Sequence, residues 1–126
     1  MAYGDIGGAV TELVLTCRTP ATGTVAIEKG DALTLVGPYT VSNNFSLEDP
    51  VFGQAMASAN ANDAAIPVKV RGVCIFRYSG TAPSLDGRTG VVGSPQAGNV
   101  QAPTSGYGTG LVLKVDNTSA RVHVLL

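Results

Sequence analysis

The stretch IPVKVRGVCIFRY, residues 66–78, decides how this chain folds. Its even positions read Val68, Val70, Gly72, Cys74, Phe76 and Tyr78, and its odd positions Lys69, Arg71, Val73, Ile75 and Arg77. Side chains alternate across a β-strand with period two, so one face of this segment is continuously apolar. The other face is charged at its ends and apolar at Val73 and Ile75. Such a strand lies centrally in a sheet, its second face partly covered by a loop or a neighbouring subunit. Gly72 marks a bulge or a close backbone approach within it.

The same period recurs on either side. Leu13, Leu15 and Cys17 alternate with Glu12, Val14, Thr16 and Arg18 and predict a half-buried strand. Val25 and Ile27, a turn at Glu28-Lys29-Gly30-Asp31, then Leu33 and Leu35 predict a hairpin, with Gly30 supplying the positive φ of its turn. Tyr39-Thr40-Val41 is a candidate short strand. Toward the end, Leu111, Leu113 and Val115 line one face, and Val122, Val124 and Leu126 answer them across the turn at 116–119. That pattern predicts a C-terminal hairpin with Lys114, Arg121 and His123 pointing the other way. Residues 51–65 stay open: Phe52, Ala55, Met56 and Ala59 fit helical spacing, while Gly53 and the run Asn60-Ala61-Asn62-Asp63 fit a short strand and a turn.

Short strands separated by Gly/Pro turns predict an all-β fold, a small barrel or sandwich. The chain of 126 residues is one domain's length. Residues 1–9 read as a flexible N-terminal arm, and 10–126 as a single β-domain with a long Gly/Pro-rich loop inserted at 79–110. That loop has only Asp86 and Arg88 as charged residues. Structureless loops beyond about 12–15 residues are uncommon in compact domains and are usually functional or disordered. Val91, Val92 and Tyr107 are its apolar and aromatic anchors, and hence candidate contacts with a partner.

Charge narrows the function. Charged residues make up 13% and the net charge is −1, so the surface resists association weakly. The cations are dispersed, which argues against a nucleic-acid partner. No run approaches the ~18 apolar residues of a membrane span, and the N-terminus has neither the basic start nor the apolar run of a signal peptide. The expected compartment is therefore a reducing cytoplasm, with Cys17 and Cys74 as small buried hydrophobes.

Candidate chemistry is sparse. The single imidazole, His123, lies on the strand face opposite the core, with no nucleophile specified beside it. G-x-S-x-G and G-x-x-x-x-G-K-[ST] do not occur, and no Cys/His/Asp/Glu set has metal-ligand spacing. No catalytic, cofactor-binding or metal residue is assigned, and the expectation is a protein that is not an enzyme and needs no cofactor. A sugar-binding module would present aromatic platforms, whereas this chain has no tryptophan and 6% aromatics.

The run GTVAIEKGD (23–31) followed by Leu33-Thr34-Leu35 resembles the opening of small tailed-bacteriophage capsid decoration, or cement, proteins. PVFGQA (50–55) leading into IPVKVRGV (66–73), and GLVLKV (110–115) with HVLL (123–126), are similar to later parts of that family. The resemblance implies a small β-barrel that binds the outside of an assembled shell and bridges major capsid protein subunits, and it favours a strand over a helix at 53–57. It implies a virion protein on the outer capsid surface, made in the host cytoplasm, with the major capsid protein and copies of itself as partners, a trimer before a dimer. Val73 and Ile75 on the second face of their strand, with Val91, Val92 and Tyr107, are the candidate capsid or subunit contacts. A tail or baseplate β-domain is the alternative, and a carbohydrate-binding module a more distant one.

Overall fold

The structure is a computed structural model and describes residues 12–126. The arm assigned to residues 1–9 lies outside the described residues. Among the described residues there is no helix, and the fold is all-β, as the spacing of apolar residues predicts. Five strands close a small barrel: β1 (Leu13–Arg18), β2 (Ala32–Gly37), β3 (Thr40–Ser42), β4 (Gly53–Ala55) and β5 (Ala65–Arg71), in the order β1-β3-β2-β4-β5. β5 pairs antiparallel with β1, Ile66 opposite Cys17, and a short parallel pairing of β1 with β3 at Arg18 and Thr40 completes the ring. Cys17, Val25, Ile27, Leu33, Val41, Ile66, Val68 and Val70 fill it.

A second layer follows. β6 (Val73–Arg77), β9 (Leu111–Asp116) and β10 (Arg121–Leu125) form a three-stranded sheet in the order β6-β10-β9. β7 (Val92–Gly93) and β8 (Val100–Gln101) make a short two-stranded ribbon. The inner face of the sheet, Cys74, Phe76, Val112, Val122 and Val124, packs with Val91 and Val100 from the ribbon segment into a second core.

Residues 66–78 therefore form not one central strand but two strands in different sheets. The chain turns between them at Gly72, whose φ is +121°, a conformation that L side chains rarely adopt. Gly72 also exchanges backbone hydrogen bonds with Leu126, accepting at 2.9 Å and donating at 3.4 Å. The alternation survives the turn. Val68 and Val70 face the barrel core, while Cys74 and Phe76 face the second core.

Other expectations are corrected by pairing that the local sequence cannot specify. Val25 and Ile27 are buried but do not form a hairpin with β2. β2 is already paired with β3 on one side and β4 on the other, so Ile27 bridges Ala59 instead. The short strand falls at Thr40–Ser42, and the ambiguous 51–65 segment holds a strand at Gly53–Ala55. The C-terminal hairpin forms, with a bulge at Leu113 because Val124 pairs with Val112 directly after His123 pairs with Lys114. That extra residue reverses the face. Val115 and Val112 pack inward, and Leu111 and Leu113 point outward.

The segment 79–110 is no idle loop. Val91 and Val100 are fully buried and Val92 nearly so. Its backbone is tied down by Ser79 N–H to Val100 O (3.0 Å), Gly93 N–H to Asp49 O (3.0 Å) and Ala32 N–H to Gly98 O (2.9 Å). Thr104 donates through its N–H and hydroxyl to the Glu48 carboxylate (2.7 and 2.6 Å), which holds that carboxyl below its ordinary range. Two apolar strand pieces and the turn between them make this segment the cover of the second core.

Three side chains join the layers. Asp31, 3% exposed, accepts from the Glu28 N–H (2.9 Å), the Asn43 amide (2.9 Å) and the Arg77 guanidinium (3.0 Å). Gln54 of β4 donates to the Ile75 carbonyl (2.8 Å), and Lys69 of β5 donates to the Val73 carbonyl (3.0 Å), so barrel side chains satisfy the free edge of β6. Gly98 lies so close that a Cβ there would fall 2.4 Å from the Asp31 carboxylate. Replacing Asp31 by alanine strands two buried or half-buried donors and leaves Arg77 without its closest acid. Asp31→Ala is expected to destabilise the fold by about 2–4 kcal/mol. Urea unfolding measures this, and a change below about 0.5 kcal/mol, the size typical of neutral surface substitutions, would contradict the role given to Asp31.

Candidate functional site

The outward face of the β6-β10-β9 sheet is ordered in rows by its register. Val73, Leu125 and Leu111 lie side by side at one end. Ile75, His123 and Lys114 form the middle row, and Arg77, Arg121 and Asp116 the far one. Leu113, displaced by the bulge, joins the apolar end. Ile75, Leu111, Leu113 and Leu125 are each 41–48% exposed and cluster on the open face of this three-stranded sheet. The face thus grades from apolar to charged across about three residues of strand.

Its charged end is shaped by the barrel. Arg77 reaches Asp31 at 3.0 Å and Glu28 at 3.8 Å, which fixes the guanidinium at the rim. A shallow cavity of about 210 Å³ opens there, lined by Glu28, Lys29, Gly30, Ile75, Arg77 and Arg121. A second shallow cavity of about 300 Å³, lined by Thr34, Leu35, Asp49, Pro50, Val51 and Phe52, holds no imidazole, thiol or paired carboxylates.

Among the candidate contacts, Ile75 is half-exposed and Val73 partly so, and both lie on this outer face. Tyr107 is 68% exposed on the tip of the long segment, where the Arg88 guanidinium stands 5.9 Å from its ring centroid. Val91 and Val92 are corrected. Val91 points into the second core at 0% exposure, and Val92 beside it is buried at 6%, so neither side chain is open to a partner. Leu111, Leu113 and Leu125 belong to the face and were assigned to the core or to no site by alternation alone. Only the bulge reveals the first two, and no local signal in the sequence marks it.

His123 stands between Ile75 and Lys114 across the sheet, with no hydroxyl or thiol in either neighbouring position. Cys17 and Cys74 are buried in separate cores, and burial pushes both thiols up, Cys74 to about 11, away from the thiolate a nucleophile requires. Among the described residues no three His, Cys, Asp or Glu side chains gather as metal ligands would. The chain matches no known family model and no curated protein.

The tip beside Tyr107 is preorganised. The Asp86 carboxylate accepts from the Thr89 hydroxyl, the Thr89 N–H (2.8 Å) and the Arg88 N–H (3.0 Å), and these bonds hold its pKa down to about 2. The bonds favour the ionised form. Their ordering effect is therefore complete above the ordinary carboxylate value of 3.8 and fades as pH falls toward 2. An NMR titration is expected to place the Asp86 midpoint near 2. Thr89→Val is expected to move it up toward the ordinary value, and an unmoved midpoint would show that the hydroxyl does not hold the carboxylate.

Proposed function

We propose that this chain is a structural virion protein, a phage capsid decoration protein that binds the outside of an assembled shell and stabilises it by bridging major capsid protein subunits. The observation that carries the reading is the half-exposed apolar face of Val73, Ile75, Leu111, Leu113 and Leu125, built on a rigid all-β body. Among the described residues no base–nucleophile pair forms around His123 or the buried cysteines, which favours a binding role in this reading. The sequence likeness of 23–31 with 33–35, 50–55 with 66–73, and 110–115 with 123–126 to decoration proteins supplies the partner.

The mechanism is mass action. A protein that binds the assembled lattice and not free subunits stabilises the lattice by the free energy of that binding, so pulling subunits apart also requires breaking its contacts. A body that keeps its shape contributes most of its contact energy, because little is spent on ordering at the moment of docking. The low net charge of −1 allows many copies to sit close together on one shell. Association between copies, a trimer before a dimer, belongs to the same reading, as does a place on the outer capsid surface.

Quantitative peptide mass spectrometry on purified particles of the phage that encodes this chain tests it. The expected result is a copy number near that of the major capsid protein. A few to a few dozen copies would move the protein to a tail or a vertex. Complete absence from the particle would overturn the virion reading.

A further inference from the structure

The outer face of the β6-β10-β9 sheet has two properties that together specify what covers it. Its apolar end carries Val73, Ile75, Leu111, Leu113 and Leu125. Its other end and rim carry Lys114, Arg121 and Lys29, none of which makes a salt bridge among the described residues, whereas Arg77 is already paired with Asp31 and Glu28. The acids nearby are engaged. Asp31 is buried under its three donors, and Asp116 accepts from the Thr118 and Ser119 N–H groups of its own turn (3.0 and 3.3 Å). Lys29, Arg77, Lys114 and Arg121 set against Glu28, Asp31 and Asp116 leave this end with a surplus of one positive charge, next to an apolar strip, on a chain of net charge −1.

Two further observations restrict the mode of contact. The outer edge of β9 has no strand partner among the described residues, but it is blunted by the Leu113 bulge and by Lys114, two devices that discourage strand addition. Contact is therefore made through the face. That face is also small. Three strands about 4.8 Å apart and five residues long at about 3.4 Å each span roughly 250 Å², and even twice that falls short of the about 800 Å² per partner of a stable pair. A copy of this chain meeting this face with its own would bring the same surplus of cations and too little area to hold on alone, whereas a shell subunit is already held in place by its lattice.

We propose that this face is the surface that docks on the capsid, and that its occupant is a segment of the shell subunit bearing apolar side chains flanked by acidic ones. The inference rests on the decoration reading and deepens it by naming the docking face and the chemistry it recognises. The apolar strip supplies the buried centre of the contact, and Lys114, Arg121 and Lys29 set its register and speed encounter with an acidic surface. The small footprint makes each contact weak by itself, so residence depends on the further contacts of one molecule spanning a seam.

The test uses shells of the major capsid protein from the phage that encodes this chain, prepared without this protein, in a sedimentation binding assay. Ile75→Asp and Leu125→Asp are each expected to weaken binding by at least about tenfold. The pair Lys114→Gln and Arg121→Gln is expected to weaken binding at low salt and to reduce its dependence on ionic strength. Leu47→Asp and Arg18→Glu, exposed changes away from the face, are expected to bind as the unmodified protein does. Urea midpoints confirm that each variant is folded, and hydrogen exchange on the unmodified protein should show shell-dependent protection in β6, β9 and β10. Binding by the unmodified protein that the face variants retain would overturn the docking face while leaving the decoration reading intact. Failure of the unmodified protein to bind shells at all would overturn both. A dimer in solution by light scattering that Ile75→Asp dissociates would assign the face to copy–copy contact and overturn the occupant proposed here.

Discussion

Asp31 carries its carboxylate where water does not reach, and that is possible only because donors from three separate segments replace the water. Glu28 supplies a backbone N–H, Asn43 an amide and Arg77 a guanidinium, all within 3.0 Å. Asp31 precedes β2 of the barrel, and Arg77 ends β6 of the outer sheet. The long segment closes over the same point, with Gly98 against the carboxylate and its carbonyl accepting from Ala32. Barrel, sheet and covering segment therefore meet at one group, whose satisfaction requires all of them to be in place. A half-satisfied network of this kind is worse than none, so the arrangement favours a single folded state over partly docked alternatives.

Gly72 is the covalent counterpart of that junction. The chain leaves the barrel and enters the outer sheet within one residue, at a φ open chiefly to glycine, and Leu126 returns to pair with it. Gln54 and Lys69 then close the exposed edge of β6 from the barrel side. The consequence is that the outward face of Val73, Ile75, Leu111, Leu113 and Leu125 stands on a sheet tied to the barrel at two carbonyls of its β6 edge. A surface held in this way can present its apolar strip to a partner without rearranging, which is the property a bridging protein needs.

Much of this was legible in the sequence, and the parts that were not share a cause. The alternation in 66–78 correctly sorted Val68, Val70, Cys74 and Phe76 from their outward neighbours, because burial on one face imposes period two whichever sheet a residue joins. The same logic found the C-terminal hairpin. It misplaced Leu111 and Leu113 because a bulge shifts the face by one residue without any composition to announce it. The hairpin expected at 25–35 failed because β2 had two better partners, a choice made by distant strands. Val91 and Val92 read as exposed anchors from sequence because the glycine and proline around them suggest an unfolded loop. A closer signal was present: the valines at 91–92 and at 100, separated by a turn containing Pro95 and Gly98, have the form of a small hairpin. The outer face itself could be half read, since Val73 and Ile75 stood out on a charged side, but its completion by β9 and β10 required the register.

With these links between them, barrel and outer sheet form one cooperative unit, so that the apolar face is rigid before it meets any partner. Native-state hydrogen exchange tests this most directly, by comparing the opening free energies of Val68 and Val70 in β5 with those of Phe76 in β6 and Val122 and Val124 in β10. The account predicts that all five amides open with the free energy of global unfolding measured in urea. Exchange of the β6 and β10 amides at a much lower free energy, while β5 stays protected, would show that the outer sheet opens on its own and would contradict it.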